Sequence, residues 1–253
     1  MLQSGLVSVS FRQLRVEEII QLCVDNHLKA IEWGGDVHVP HGDLSKATLV
    51  SKLTLNAGLD IAAYGSYYKV GHPERLPFES VLDTAQALKA PTIRVWAGDK
   101  SPNHADERYF NLVVEDAGRI AELAAKLNIE LAFEYHRLTM TENVESAIKL
   151  LRSINRSNFK TYWQPPIGRL LEACLSDLDK MSTYLSNVHV FYWDKNGIKY
   201  PLENGQLFWT RCLELIARTN KKHFALLEFV RDDDPNNLKS DALTLHKIIS
   251  SCI

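Results

Sequence analysis

Short runs of apolar and β-branched residues alternate along the chain with longer segments whose apolar residues recur at helical spacing. Eight strands are predicted, over residues 6–10, 30–33, 60–65, 92–98, 130–136, 159–166, 187–193 and 223–229. Helices are predicted over residues 16–26, 44–56, 78–88, 106–127 and 142–151, and from near residues 167, 205 and 237. Because every strand is followed by a helix, we expect parallel pairing and a single closed (β/α)8 barrel.

Length and composition agree with one domain that spans residues 1–253. A chain of 253 residues matches the roughly 250 residues of an eight-fold β/α barrel, and 45% hydrophobic residues are sufficient for one large core. Four cysteines show no CxxC pairing and fall among apolar residues of predicted helices. We therefore expect buried, reduced thiols rather than a disulfide framework.

Charge and hydropathy argue against two classes of partner. A net charge of −2 and a pI near 6.5 provide no basic field for a phosphate backbone, so nucleic-acid binding is not expected. No apolar run approaches the roughly 20 residues of a membrane span, and the N-terminus lacks the pattern of a signal peptide. We expect a soluble, cytoplasmic protein that binds a small molecule.

Four side chains able to bind a metal ion lie at or near the ends of the last four predicted strands. They are Glu134, Gln164, His189 and Glu228. The C-terminal ends of the strands of a parallel barrel converge at one mouth, where such barrels carry their chemistry. Two carboxylates, one imidazole and one amide oxygen at this mouth predict a site for a divalent cation.

The two-residue period of a strand predicts which of these side chains face the barrel interior. Glu134 shares a face with the small Ala132, whereas the larger apolar neighbours share the opposite face. The same spacing predicts that Glu228, Arg94 and Trp96 point inward. Inward charges are costly unless they are paired or coordinated, and a cation would compensate two carboxylates at once.

Further candidates lie on strand ends and in the loops that follow them. The predicted substrate-binding residues are His136, Arg94, Arg231, Trp96, Trp193, His38 and Arg12. Glu32 is also predicted to face inward, as a buried partner of Arg94 rather than as a catalytic group. Tyr68 and Lys69 are candidates to bind hydroxyl or phosphate groups, and Thr139 and Thr141 are candidate caps of the fifth helix.

The set resembles the xylose isomerase-like TIM barrels, the sugar phosphate isomerase/epimerase superfamily. The resemblance extends from SVSFRQLRVEEIIQL and IEWGGDVHVP through IRVWAG to the four strand-end residues. It implies one divalent metal ion (Mn, Mg, Zn or Co), held by Glu134, Gln164, His189 and Glu228, and a role in carbohydrate metabolism. Two departures stand out: Gln164 occupies the place of the usual aspartate, and Ile167 that of a histidine in a DxxH pattern.

The resemblance implies an isomerase or epimerase that removes a proton next to a carbonyl through a metal-stabilised enediolate. Glu134 and Glu228 would exchange the proton on opposite faces of the substrate carbon. An inosose-type dehydratase and a non-catalytic sugar-binding barrel remain alternatives, the latter because Gln164 carries no charge. A nuclease like endonuclease IV is disfavoured by the missing histidine and the charge balance. A homodimer formed through exposed Phe208 and Trp209 is left open, because both residues could instead belong to the core.

Overall fold

Eight parallel strands form a closed barrel in the computed structural model, which describes residues 1–73 and 76–252. The barrel strands, numbered β1 to β8, are Leu2–Val7, Ala30–Gly34, Asp60–Lys69, Thr92–Trp96, Glu130–Phe133, Phe159–Trp163, Leu185–Val190 and His223–Leu227. Each strand pairs with the next along the chain, and β8 closes the ring by pairing with β1. The predicted (β/α)8 barrel is therefore confirmed.

Eight helices follow the strands and cover the outside of the barrel. Numbered α1 to α8, they are Val16–Asp25, Leu44–Asn56, Phe78–Leu88, Glu107–Ala125, Val144–Ile154, Leu171–Met181, Gln206–Ala217 and Leu238–Ser251. Predicted and observed bounds agree fully for α2 and α3. None of the helices among the described residues has the combination of length and hydropathy needed to cross a membrane.

The buried residues form two hydrophobic clusters, one outside the barrel wall and one inside it. The large outer cluster joins helix residues to outward strand residues such as Leu131 and Phe133. The small inner cluster includes Ala132 and Leu226. The predicted inward faces of β5 and β8 are therefore confirmed, and Glu134 and Glu228 continue those inward rows.

Several strand bounds differ from the prediction. The first strand begins at Leu2 rather than near residue 6, and Ser8–Phe11 forms a 3-10 turn although its composition is typical of a strand. The Oγ of Ser8 accepts a hydrogen bond from the amide of Gly34 at the end of β2 (2.9 Å), a contact that local sequence does not reveal. Four other strands are shorter than predicted: they end at residues 96, 133, 163 and 227, and the predicted strand residues that follow belong to loops.

The loop after β5 corrects another prediction, because neither Thr139 nor Thr141 caps α5. The N-cap is Asn143, whose side chain accepts a hydrogen bond from the amide of Ser146 (3.0 Å). The hydroxyl of Thr141 instead donates to the carbonyl oxygen of Glu134 (2.6 Å). This threonine therefore anchors the backbone directly beside a predicted ligand.

The structure also tests what was expected of the cysteines and of Trp209. All four cysteines are free: Cys23, Cys174 and Cys212 are buried, while Cys252 is partly exposed just after α8. Trp209 is fully buried and its indole donates to a backbone carbonyl, so it belongs to the core rather than to an exposed aromatic surface.

Candidate metal centre

The four predicted ligands meet at the C-terminal mouth of the barrel. Glu134, Gln164 and Glu228 each directly follow the last residue of β5, β6 and β8, and His189 lies near the end of β7. Glu134, His189 and Glu228 are buried, and each offers one ligand atom within 4.8 Å of the others. Barrel closure therefore brings together residues that are as far as 94 positions apart in sequence.

His189 lies at the centre of this group and has no exposed surface. Its Nδ1 is 3.1 Å from Oε2 of Glu228 and 3.1 Å from Oε1 of Gln164. Its Nε2 faces the opposite direction, 3.5 Å from Oε2 of Glu32 on β2. One ring nitrogen thus faces the predicted ligands and the other faces a buried carboxylate.

Glu134 is held by two donors from the neighbouring strand β4. Its Oε2 accepts hydrogen bonds from Nη1 of Arg94 and from Nε1 of Trp96, the latter at 2.6 Å. Arg94 also donates through Nε to Oε1 of Glu32 (2.6 Å), which confirms the predicted Glu32–Arg94 pair. A continuous buried chain of charges therefore runs from Glu32 through Arg94 to Glu134.

Gly65 on β3 leaves the space in which Arg94 lies. A Cβ at this position would come within 2.6 Å of Nη2 of Arg94 and 3.1 Å of Oε1 of Glu32. The ring of Tyr67, in the same strand, lies 5.3 Å from the guanidinium carbon of Arg94 and covers it. Arg94 is consequently 1% exposed, and contacts on several sides of the guanidinium fix its orientation.

The neighbouring charges shift several pKa values. Burial lowers the pKa of His189, but the carboxylates of Glu228 and Glu32 outweigh this effect and raise it to about 10. Burial raises the pKa of Glu32, but Arg94 and His189 outweigh it and lower the value to about 2. The pKa of Glu134 is likewise lowered, because Arg94 and His189 overcome the effect of burial. Both carboxyl groups are therefore ionised at neutral pH.

The formal charges of the buried groups leave room for a cation. The carboxylates of Glu32, Glu134 and Glu228 face one permanent positive charge, that of Arg94. In the metal-free protein the raised pKa of His189 keeps the ring protonated, so its charge compensates part of this excess. A histidine that binds a metal is neutral, and with His189 in that form two negative charges remain without compensation in a buried site, which is unfavourable. Oε2 of Glu228 is buried and lies 3.1 Å from Nδ1 of His189. One divalent cation would balance both charges.

The spacing of the ligand atoms around His189 also fits such an ion. Neighbouring ligands of an octahedral cation, at about 2.1 Å from the ion, are about 3.0 Å apart. Nδ1 of His189 lies 3.1 Å from the side-chain oxygens of both Gln164 and Glu228. A nitrogen with several oxygens is a donor set that suits Mn, Mg, Zn or Co. Glu134, Gln164, His189 and Glu228 would hold the ion.

A cavity of about 510 Å³ opens next to Gln164. Its wall includes His136, Glu142, Gln164, Phe191, Trp193 and Phe229. Three of these rings, Phe191, Trp193 and Phe229, pack against one another with centroids 4.8 to 5.3 Å apart. The cavity therefore has a mainly aromatic side and a polar side, and it is large enough for a small organic substrate.

Several predicted substrate-binding residues lie at this mouth. His136 stacks on Trp96 with ring centroids 5.0 Å apart, and it lines the cavity together with Trp193. Arg12 donates through Nη2 to the hydroxyl of Tyr67 (3.0 Å) and pairs with Asp36. Arg12 is therefore connected to the centre through the tyrosine that covers Arg94.

Other candidates make contacts away from the four ligands. His38 is 3% exposed, donates from Nε2 to the carbonyl oxygen of Leu14 (3.1 Å) and packs edge-on against Trp33. Arg231 is held near the start of α8 by Asn237, at 3.2 Å. Tyr68 donates to Asp116 at 2.9 Å, on the outer side of the barrel, so Tyr67 is the residue of β3 that reaches the site.

Sequence reasoning missed Tyr67, Phe191 and Phe229 and assigned Glu32 only a structural role. Tyr67 and Phe229 both have a positive φ, 55° and 56°, which no sequence pattern indicated. Phe229 could have been predicted as a site residue from its position directly after Glu228. Its side chain closes the aromatic side of the cavity.

Comparison with known proteins assigns the fold to a family. The family model described as xylose isomerase-like TIM barrel matches residues 20–247. The chain belongs to this family. No curated protein sequence matches it.

Several solved structures have the same fold as this chain. The probable 3-DHS dehydratase AsbF of Bacillus anthracis is 19% identical, with a TM-score of 0.81 over 97% of this chain and 99% of AsbF. A xylose isomerase-like TIM barrel protein of Mycobacterium smegmatis in complex with magnesium is 12% identical, with a TM-score of 0.73 over 99% and 97% of the two chains. D-allulose 3-epimerase of Methylomonas sp. is 14% identical, with a TM-score of 0.68 over 100% and 98%. At these identities the similarity establishes the fold alone.

Proposed function

We propose that this xylose isomerase-like barrel is a divalent-metal-dependent isomerase or epimerase of a sugar or sugar derivative. The observation that carries the proposal is the group of buried ligands Glu134, His189 and Glu228, which brings two carboxylates and an imidazole together. The group adjoins Gln164, which contacts His189 and lines the cavity. A bound divalent cation would act as a Lewis acid for adjacent substrate oxygens. The magnesium complex of the related Mycobacterium smegmatis protein supports this assignment.

The two glutamates are unequal partners for proton transfer. Oε2 of Glu228 is buried and lies 3.1 Å from Nδ1 of His189, the nitrogen that would bind the ion. With the ring neutral and that nitrogen bound to metal, no N–H from His189 is directed at the carboxylate, which can then accept a proton. Glu134 is held by Arg94 and Trp96, and its pKa is lowered by Arg94, which disfavours protonation. We therefore assign the first proton abstraction to Glu228. Epimerisation requires Glu134 to return a proton on the other face.

The cavity would place a small substrate between an aromatic and a polar side. Trp193 and Phe229 offer an apolar surface to the C–H face of a sugar or cyclitol ring. His136 and Gln164 on the polar side supply hydrogen bonds to hydroxyl groups. The aromatic side also excludes water, which strengthens electrostatic interactions at the reacting carbon.

A dehydratase of a hydroxylated keto compound is the second candidate. The inequality of the glutamates favours it, because elimination requires one strong base and a separate proton donor for the leaving hydroxyl. Glu228 would remove the proton, and His136 at the cavity wall would protonate the leaving group. The similarity of the fold to the probable 3-DHS dehydratase AsbF adds support.

Metal content and proton exchange test both candidates. The purified protein and a Glu228→Gln variant would be analysed for bound metal after resupply of Mn²⁺ and Mg²⁺. Each would then be incubated in D₂O with ketoses, inososes and 3-DHS and followed by NMR. Deuterium incorporation with an epimeric or isomeric product supports the first candidate, and formation of a product that has lost one water molecule supports the second. Absence of both metal uptake and exchange in the native protein would overturn the proposal.

A further inference from the structure

Glu32 lies on the side of the His189 ring that is opposite the predicted metal ligands. Around the barrel, β2 and β7 are separated by two strands, β1 and β8, yet their side chains meet in the interior. Both Glu32 and His189 are 0% exposed. Oε2 of Glu32 and Nε2 of His189 are 3.5 Å apart, and the side chain of Tyr162 also contacts Glu32.

Nε2 of His189 therefore has a buried carboxylate oxygen in front of it. A histidine that binds a metal through one ring nitrogen usually donates its other N–H to a carboxylate, and this donation fixes the tautomer and the ring orientation. Nδ1 of His189 is the nitrogen that faces Glu228 and Gln164, so Nε2 is the nitrogen left to donate.

We propose that Glu32 is a positioning residue for the metal centre. It holds His189 with a proton on Nε2 and with the lone pair of Nδ1 directed at the ion. The proposal rests on the metal site assigned under the proposed function. Arg94 gives Glu32 its own orientation, since Nε of Arg94 donates to Oε1 and leaves Oε2 for His189. Because Arg94 also contacts Glu134, the connected side chains of Glu32 and Arg94 orient two of the four ligands, His189 and Glu134.

The chemistry of this contact explains why a carboxylate is required. In the proposed role Glu32 accepts two hydrogen bonds at once. The one on Oε1 comes from Arg94 at 2.6 Å, and the one on Oε2 would come from Nε2 of His189, which lies 3.5 Å away. A glutamine of the same shape has one acceptor oxygen and one NH₂ group. In Glu32→Gln, either Arg94 or Nε2–H of His189 would face a donor. If the NH₂ group faces His189, the ring favours the proton on Nδ1, which blocks the position of the metal.

The first test measures Mn²⁺ affinity by calorimetric titration of the metal-free native protein and of Glu32→Gln. We expect binding to weaken by about 10- to 100-fold in the variant. Asp116→Asn is the matched control, because Asp116 is a buried carboxylate that binds Tyr68 and Gly71 outside the site. Its affinity for Mn²⁺ should equal that of the native protein. Equal affinity of Glu32→Gln and the native protein would overturn the inference.

The second test uses the native protein alone, and it separates positioning from a simple loss of charge. The protein, labelled with ¹⁵N-histidine, would be examined by NMR before and after saturation with diamagnetic Zn²⁺, and His189 would be identified as the ring whose nitrogen signals shift when the ion binds. We expect a protonated Nε2 with a downfield proton that exchanges slowly with water. A Zn²⁺-bound Nε2, or an Nε2 proton in rapid exchange, would overturn the inference while leaving the metal site intact. A native protein that binds neither Mn²⁺ nor Zn²⁺ would overturn the proposed function as well.

Discussion

Removal of the Arg94 side chain should strongly destabilise the metal-free protein. Arg94 is 1% exposed and bridges Glu32 and Glu134, so Arg94→Met leaves two buried carboxylates without their cation. Removal of one partner of a buried ion pair costs about 3–5 kcal/mol. For a domain of this size, each kcal/mol corresponds to about 2–4 °C, and the melting temperature should fall by roughly 6–20 °C.

Urea unfolding followed by circular dichroism would measure this loss, with chelator present and then with Mn²⁺. Arg156→Met is the matched control, because Arg156 pairs with Glu122 on the surface, where both side chains are substantially exposed. That pair should contribute no more than about 1 kcal/mol. We expect Mn²⁺ to restore part of the stability of Arg94→Met, since the ion compensates Glu134, one of the two carboxylates that Arg94 bridges. A loss for Arg94→Met no larger than that for Arg156→Met would refute the assignment of a buried charge chain.

Three further predictions concern the same centre. Gly65→Ala should displace Arg94, whose Nη2 lies 2.6 Å from the added Cβ, and should lower both thermal stability and Mn²⁺ affinity; unchanged values in both assays would contradict this. Gln164→Asp should bind Mn²⁺ about tenfold more tightly or better in titration, because it adds a charged ligand beside His189, whereas an unchanged affinity would exclude Gln164 from the ligands. The raised pKa of His189, about 10, contributes stability that is fully present below about pH 6.5 and is lost as the pH rises towards 10. The metal-free protein should therefore lose unfolding free energy across this interval, and His189→Gln should lack this component.

The local patterns of the sequence were sufficient for the architecture and for most helix bounds. The period of the apolar residues and the glycine after α2, with φ of 76°, define a helix that ends at Asn56 as predicted. Strand ends were less well predicted. Residues such as Tyr135 continue the apolar composition of β5, but the chain turns there because the hydroxyl of Thr141 binds the carbonyl of Glu134.

The candidate ligands could be proposed from sequence because each is positioned by its own strand. A side chain at the end of a parallel strand points to the mouth of the barrel whatever its neighbours are, so Glu134, His189 and Glu228 required only the strand period and the closure rule. His38 shows the limit of such reasoning. Its loop position suggested substrate contact, whereas the fold packs it against Trp33 and the backbone of Leu14.

The sequence by itself determined a (β/α)8 barrel and the residues at its mouth, since both follow from periodicities within single elements. Only the tertiary structure decided how the charges are arranged. Glu32, Arg94, Glu134 and His189 come from four different strands, and their contacts depend on the closure and register of the whole ring. Electrostatic coupling depends on distances across the interior and on burial, which no local pattern encodes. The shifted pKa values of these groups therefore arise from the closed barrel.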